Sequence, residues 1–316
     1  MDASDLLRNS LLQLSKSDTV RDVIEKAPVS RSVVHRFVPG ATTDEAVAAA
    51  AELATTGRRT TIDYLGEDTL DAGQAKHTKD AYVAILGALR DRGLTEGGRA
   101  EVSLKLSALG QALPGDGDKV ALEYAREICT LAQQADTTVT LDMEDHTTTD
   151  RTLEALHELR ADFPFVGAVV QAYLYRTEAD CRDLATAGSR VRLCKGAYKE
   201  PESVAFQAGA DVDKSYVRCL KVLMQGQGYP MVASHDPRLV EIAGALAAQN
   251  GRAPGSFEYQ MLYGIRPEEQ KRIADRGDTM RVYIPYGEEW YGYLMRRMAE
   301  KPANVAFFLR GLATKG

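Results

Sequence analysis

Four groups of side chains have types and spacings that could do chemistry. The first is Arg192 and Lys195 in Arg-Val-Arg-Leu-Cys-Lys-Gly-Ala-Tyr, residues 190–198. That run is rich in Val and Leu and follows a Gly188-Ser189 turn, so it reads as a β-strand. A strand covered on both faces by helices cannot hide unpaired cations cheaply. Either an anionic or electron-rich partner lies beside them, or both sit at an exposed strand end and pair with surface carboxylates. Gly196 leaves room for a ligand against the backbone. The second group, Asp142, Glu144, Asp145 and His146, could ligate a divalent ion. Strand alternation lets only Asp142 and Glu144 face one way, and either could instead balance Lys105 or Arg192. The third is His235, which reads as a hydrogen-bonded or phosphate-contacting residue rather than a base. The fourth is Tyr293 with Arg296 and Arg297 one turn on, a forked site for a carboxylate or phosphate, or else a solvated face of Arg–Glu pairs.

These residues need elements to hold them. Residues 1–56 read as a helical arm, with an amphipathic start over 1–18 and an Ala-rich helix over 46–54 that Gly57 ends. Strand and helix then alternate to the end of the chain. Strands are expected at 60–66, 100–108, 137–141, 166–173, 190–198, 231–234, 257–262 and 280–284. Helices are expected near 71–92, 118–135, 150–161, 178–187, 202–225, 237–249, 267–275 and 288–300. Regular alternation means right-handed βαβ units and a parallel sheet. Eight repeats in about 250 residues suggest a (β/α)8 barrel over 57–316 rather than an open sheet. The active site then belongs at the strands' C-terminal ends, where Glu67, Lys105, Asp142, Gln171, Arg192, Ser234, Gln260 and Tyr283 all fall.

The totals exclude several classes. A chain of 316 residues with net charge −6 and 27% charged residues offers no basic face for nucleic acid. No apolar run is long enough to span a bilayer, and the amphipathic start is not a signal peptide. Cys129, Cys181, Cys194 and Cys219 have no CxxC spacing and read as buried reduced thiols of a cytoplasmic enzyme. The histidines at 35, 77, 146, 157 and 235 form no ligand pair, so no metal is expected.

Seven short motifs in order carry a resemblance. They are Asp63-Tyr64-Leu65-Gly66-Glu67, Ser103-Leu104-Lys105-Leu106-Ser107, Leu141-Asp142-Met143-Glu144, Val170-Gln171-Ala172-Tyr173, Arg192 to Tyr198, Ala233-Ser234-His235 and Tyr293-Leu294-Met295-Arg296-Arg297. Together they resemble the proline dehydrogenase family over about residues 58–300. The resemblance implies a distorted (β/α)8 barrel holding FAD, and oxidation of L-proline to Δ1-pyrroline-5-carboxylate with hydride passing from C5 to flavin N5. It implies a quinone as the onward electron acceptor.

By the same resemblance Lys105, Arg296 and Arg297 would hold the proline carboxylate. Tyr293 would cover the ring and disfavour a ring hydroxyl, Tyr198 and Tyr283 would complete the wall, and Glu67 would pair with Arg296 as a gate. Arg192 and Lys195 would contact the flavin, with Arg192 near N5 and raising its potential. Gln171, Met143, Gly196, Ala197, Ser234 and His235 would make the other cofactor contacts, and Asp142 would orient Lys105 or other polar groups of the pocket and count with Arg192 as catalytic. Some members have Trp stacking on the adenine where Lys199 stands, which leaves the adenine-end contacts open and does not touch the flavin site. A chain ending at Gly316 suggests a monofunctional enzyme, with a separate pyrroline-5-carboxylate dehydrogenase taking its product. Quinone access would need peripheral contact with the cytoplasmic face of the membrane.

Overall fold

A β-strand that alternates polar and apolar residues must show one set to each face, and here the two sets have different destinations. Ile62, Val102, Leu104, Leu141, Val170, Leu193, Val232, Met261, Val282 and Ile284 are buried in one core with the helices. The alternate residues of the same strands meet across the centre. In the computed structural model, which describes residues 30–300 and side chains from 34 to 295, eight parallel strands close into a barrel in sequence order. The strands are β1 (Arg59–Tyr64), β2 (Ala100–Leu104), β3 (Val139–Leu141), β4 (Gly167–Gln171), β5 (Arg190–Cys194), β6 (Tyr229–Ala233), β7 (Glu258–Leu262) and β8 (Met280–Tyr286). Closure runs β1 along β8, from Arg59 opposite Arg281 to Tyr64 opposite Tyr286.

Two helices precede β1: α1 (Ser30–Phe37) and α2 (Thr43–Ala54). The chain then returns from each strand through α3 (Ala72–Asp91), α4 (Gly117–Gln134), α5 (Thr149–Asp162), α6 (Thr177–Leu184), α7 (Gly209–Gln225), α8 (Pro237–Gln249), α9 (Pro267–Asp275) and α10 (Trp290–Glu300). Thr42 and Glu45 form a capping box that starts α2. The alanine face of α2 enters the barrel's own core through Ala46, Val47 and Ala50. Around α1, Phe37 and Val38 pack with Leu65, Tyr291, Leu294 and Met295 in a second cluster over one side of the barrel mouth. The amphipathic stretch 1–18 lies outside the described residues.

Some boundaries differ from those the sequence suggests. β2 stops at Leu104, and Ser107–Gln111 makes a wide π-helical turn instead of extending the strand. β5 stops at Cys194, and α7 starts at Gly209 rather than near 202. Between them the chain folds back on the loop after β4, with Tyr175 N–H donating to Val204 O and Phe206 N–H to Tyr173 O.

The barrel's centre is ionic rather than filled with branched aliphatic residues. Glu101 of β2 lies 2.8 Å from Arg190, 3.7 Å from Arg192 and 3.8 Å from Arg281, while Glu258 takes Arg281 at 2.7 Å. Thr61, Thr138 and Thr140 donate further hydrogen bonds to Glu101, and Tyr229 and Gln260 donate to Glu258. The arginines outweigh the burial of Glu101 and hold its carboxyl below the usual range. This charged plug is the floor on which the site is built.

Candidate active site

Above the plug, a cavity of about 540 Å³ opens at the C-terminal ends of the strands. Each strand delivers side chains to it because each motif starts at, or just before, a strand end. From β1 and β2 and their extensions come Asp63, Glu67 and Lys105; from β3 and β4 come Asp142, Met143 and Gln171. β5 and its loop supply Arg192, Cys194, Lys195, Gly196, Ala197 and Tyr198. Ser234 and His235 follow β6, Gln260 lies in β7, Tyr283 in β8, and Tyr293 reaches in from α10. Arg296 and Arg297 belong to the same helix, which Tyr291, Leu294 and Met295 bury against the barrel mouth. Tyr293 is buried in the same cluster as Tyr291, Leu294 and Met295.

Arg192 is the best-anchored charge in the site. Its guanidinium, 3% exposed, donates to Gln260 Oε1 at 2.6 Å, to Asp142 Oδ1 at 2.6 Å and to Ser103 Oγ at 3.1 Å. Burial pulls its pKa down, but Asp142 and Glu101 outweigh that and raise it, so Arg192 stays charged. Asp142 is held from its other side by Tyr283 Oη–H at 2.6 Å. The protein itself therefore supplies the anions that a charged buried strand requires. Lys195 differs from Arg192: its ammonium is part exposed and sits 2.5 Å from Asp213 and 3.3 Å from Asp236.

Of the polar groups the sequence offers Asp142, its hydrogen-bond partners are Arg192 and Tyr283, and Lys105 has another. Its ammonium lies 2.8 and 2.7 Å from the two oxygens of Asp63, at the end of the neighbouring strand. Asp63 belongs to the first motif, yet nothing in its spacing marks it as the partner; the β1–β2 register, Asp63 beside Ser103, does that. Burial raises the Asp63 carboxyl, and Lys105 opposes that.

Asp142 and Glu144 part company once β3 has ended at Leu141. Glu144 turns to the Ser107 turn, accepting its N–H at 3.2 Å and its hydroxyl at 2.5 Å. Among the described residues no group of three or more His, Cys, Asp or Glu side chains is arranged to hold a metal ion. His235 accepts the Leu262 N–H on Nε2 at 3.0 Å, which leaves Nδ1 as its donor atom. Cys129, Cys181 and Cys219 are buried, while Cys194 is half-buried at the cavity wall.

Glu200 is a positioning group that the sequence does not announce, because it lies in irregular backbone. Its buried carboxylate accepts the His146 N–H at 2.9 Å and the Tyr173 hydroxyl at 3.2 Å, and also bonds His146 Nδ1. It thus ties the loops after β3 and β4 to the segment that carries Lys195 to Tyr198. Tyr173 in turn packs against Gly196, whose φ of +124° and lack of Cβ that contact requires. Glu200→Ala leaves these donors buried and is expected to cost about 1–3 kcal/mol. Urea unfolding of the alanine and glutamine variants checks this; the glutamine should recover part of the loss.

The sequence profile of the proline dehydrogenase family matches residues 46–310, the whole barrel and α10. The chain belongs to the proline dehydrogenase family. Proline dehydrogenase 1 of Bacillus subtilis (strain 168) is 38% identical over 310 residues, covering 98% of this chain and 100% of its own. The proline dehydrogenase of Deinococcus radiodurans is 37% identical over 283 residues, 89% of this chain and 90% of its own. A crystal structure of proline utilization A from Bdellovibrio bacteriovorus, inactivated by N-propargylglycine, superposes with a TM-score of 0.79 at 27% identity. That match covers 86% of this chain and spans about a third, 33%, of the longer one. As a proline dehydrogenase family member the chain is an oxidoreductase of the first step of proline catabolism, in a family that is flavin-dependent. No helix among the described residues is long and apolar enough to cross a membrane.

Proposed function

We propose that the chain oxidises L-proline to Δ1-pyrroline-5-carboxylate in this cavity, with FAD as its cofactor. The observation that carries the reading is the convergence of Lys105, Arg192, Lys195, Tyr198, Tyr283 and Tyr293 on one cavity at the strand ends. The residues suit a flavin: two cations, the Ser234 hydroxyl and His235 can serve its polar parts, and Met143, Val169 and Met261 give apolar wall. Gln171 donates its Nε2 to Glu144 O at 2.7 Å, which leaves Oε1 to accept from a ligand N–H. Bound there, FAD would supply the acceptor for hydride from proline C5, with a quinone as the onward electron acceptor.

The chain's own residues do the rest. Lys105, Arg296 and Arg297 hold the proline carboxylate, and three cations from two elements fix one small anion in a single orientation. Tyr293 covers the ring where a hydroxyl would clash, and Tyr198 and Tyr283 close the wall. Glu67 pairs with Arg296 as the gate and keeps water out. Arg192, held charged by Asp142 and Glu101, faces the place where negative charge collects; fixed charges of this kind need no rearrangement during reaction. Asp142, locked between Arg192 and Tyr283, keeps that guanidinium in place. Ammonium proline meets cations here, so the pocket selects the neutral amine, from which hydride can leave. Proline kcat/KM should therefore rise with pH through the amine's ionisation.

The separate pyrroline-5-carboxylate dehydrogenase and a peripheral contact with the cytoplasmic face of the membrane belong to the same reading. So does the division into a helical arm, 1–56, and a cofactor-binding barrel, 57–316. The visible spectrum of the purified protein, recorded before and after L-proline without oxygen, tests the core of it. Flavin bands that bleach with proline are expected. Bands that proline leaves unchanged would overturn the substrate, and a colourless protein that FAD does not reconstitute would overturn the cofactor.

A further inference from the structure

Glu144 belongs to the Leu141–Glu144 motif, yet the chemistry above uses it for nothing. It is 6% exposed, does not line the cavity, and is bonded to a segment that does. Its two oxygens accept the N–H and the hydroxyl of Ser107. Ser107 then reaches the stretch beyond β1: its Oγ accepts the Asp68 N–H at 3.0 Å, and its carbonyl accepts the Thr69 N–H at 3.2 Å. That stretch begins with Glu67, which lines the cavity, and ends with Leu70, 71% exposed. Asp68 has φ of +52°, a strained conformation for a residue with a Cβ, so the stretch needs outside bonds to keep its shape.

We propose that Glu144 is a positioning residue that, acting through Ser107, latches the segment 66–70 against the cavity and loosens it on protonation. The latch itself is independent of substrate; its link to catalysis rests on the reading of Glu67 as the gate. The chemistry of the switch is that of the hydroxyl. An ionised Glu144 takes the Ser107 O–H as acceptor, and both Oγ lone pairs remain for Asp68 N–H. A protonated Glu144 loses the charge that strengthens the Ser107 N–H and O–H bonds, so the serine is fixed less firmly and its Oγ holds Asp68 N–H less well.

The groups facing Glu144 set where this happens. Burial raises its pKa most, and Glu67 beyond β1 raises it further; the Ser107 bonds and Lys105 of the β2 end oppose them. The result is a carboxyl pushed up from 4.5 to about 7. A raised carboxyl pKa means the latch is made above about pH 7 and is lost as pH falls through it.

Hydrogen exchange of the Asp68 and Thr69 amides in the purified protein, corrected for intrinsic rates, tests the latch between pH 6 and 8. For one group titrating near 7, protection in the wild type is expected to rise about tenfold across that range. Glu144→Gln should show no such rise, and Ser107→Ala should show weak protection throughout. Protection that is flat in the wild type, or that still titrates in Glu144→Gln, overturns the proposal. If Glu144→Gln does not fold, Ser107→Ala decides: wild-type protection in that variant also overturns it. Proline KM in the same series reads the gate separately. A latch that titrates while KM does not follow supports the proposal and removes Glu67 as the gate.

Discussion

Replacing Arg192 with methionine is expected to lower kcat for proline by about 10²–10³-fold, the loss typical of removing one fixed donor from developing charge. The guanidinium is held by four groups from three places in the barrel: Ser103 and, through charge, Glu101 on β2, Asp142 just past β3, and Gln260 on β7. Nothing in that arrangement needs to move when negative charge appears above it. Methionine keeps much of the volume but leaves Asp142 with Tyr283 as its remaining bond and Glu101 with one arginine fewer. Arg192→Lys should recover little, because a single ammonium cannot reach Gln260, Ser103 and Asp142 at once. Rapid-reaction measurement of flavin reduction by proline checks the step directly, and the potential of the bound flavin should fall in both variants. An unchanged reduction rate in Arg192→Met would show that this charge is structural.

The alternation that builds the barrel is plain in the sequence. Glu101-Val102-Ser103-Leu104-Lys105 and Arg190-Val191-Arg192-Leu193 each read as a strand with one apolar and one polar face, and the structure sends those faces to the helices and the centre. Strand ends were less legible: β2, β4 and β5 each stop inside the motifs that were expected to close them. The partners of the charges were not legible. Arg192 could have faced a ligand, Asp142 or a surface carboxylate; only closure of the barrel brings Asp142, Glu101 and Gln260 around it. Lys105 takes Asp63, while Asp142, in register beside it past β3, is held by Arg192 and Tyr283; spacing along one strand contains neither fact. Glu144 and Glu200 sit past strand ends in irregular backbone, where no period says which way a side chain points. The fold-back of 201–208 hides for the same reason: its contacts are with the loop after β4, not with its own sequence neighbours.

The Lys105–Asp63 pair should give the largest change in stability. Both groups are buried, and each oxygen of Asp63 lies within 2.8 Å of the ammonium. Lys105→Met removes the cation but not the carboxylate, and breaking a buried pair from one side costs about 3–5 kcal/mol. The double variant Lys105→Met with Asp63→Asn has no charge left to strand, so most of that loss should return. The pH dependence of the single variant carries a fixed sign. Burial already raises the Asp63 pKa, with Lys105 working against it, so without Lys105 it rises further. The folded state then holds the proton more tightly than the unfolded chain, and the deficit, full at high pH, shrinks as pH falls towards that raised value. Urea unfolding of the wild type, both single variants and the double variant at two pH values measures the coupling. Proline binding separates the two roles of the lysine: the double variant regains stability, yet its KM should stay raised about 10- to 100-fold, the worth of a lost charged hydrogen bond. A double variant that regained both would mean that Lys105 serves the fold and leaves the proline carboxylate to the arginines of α10.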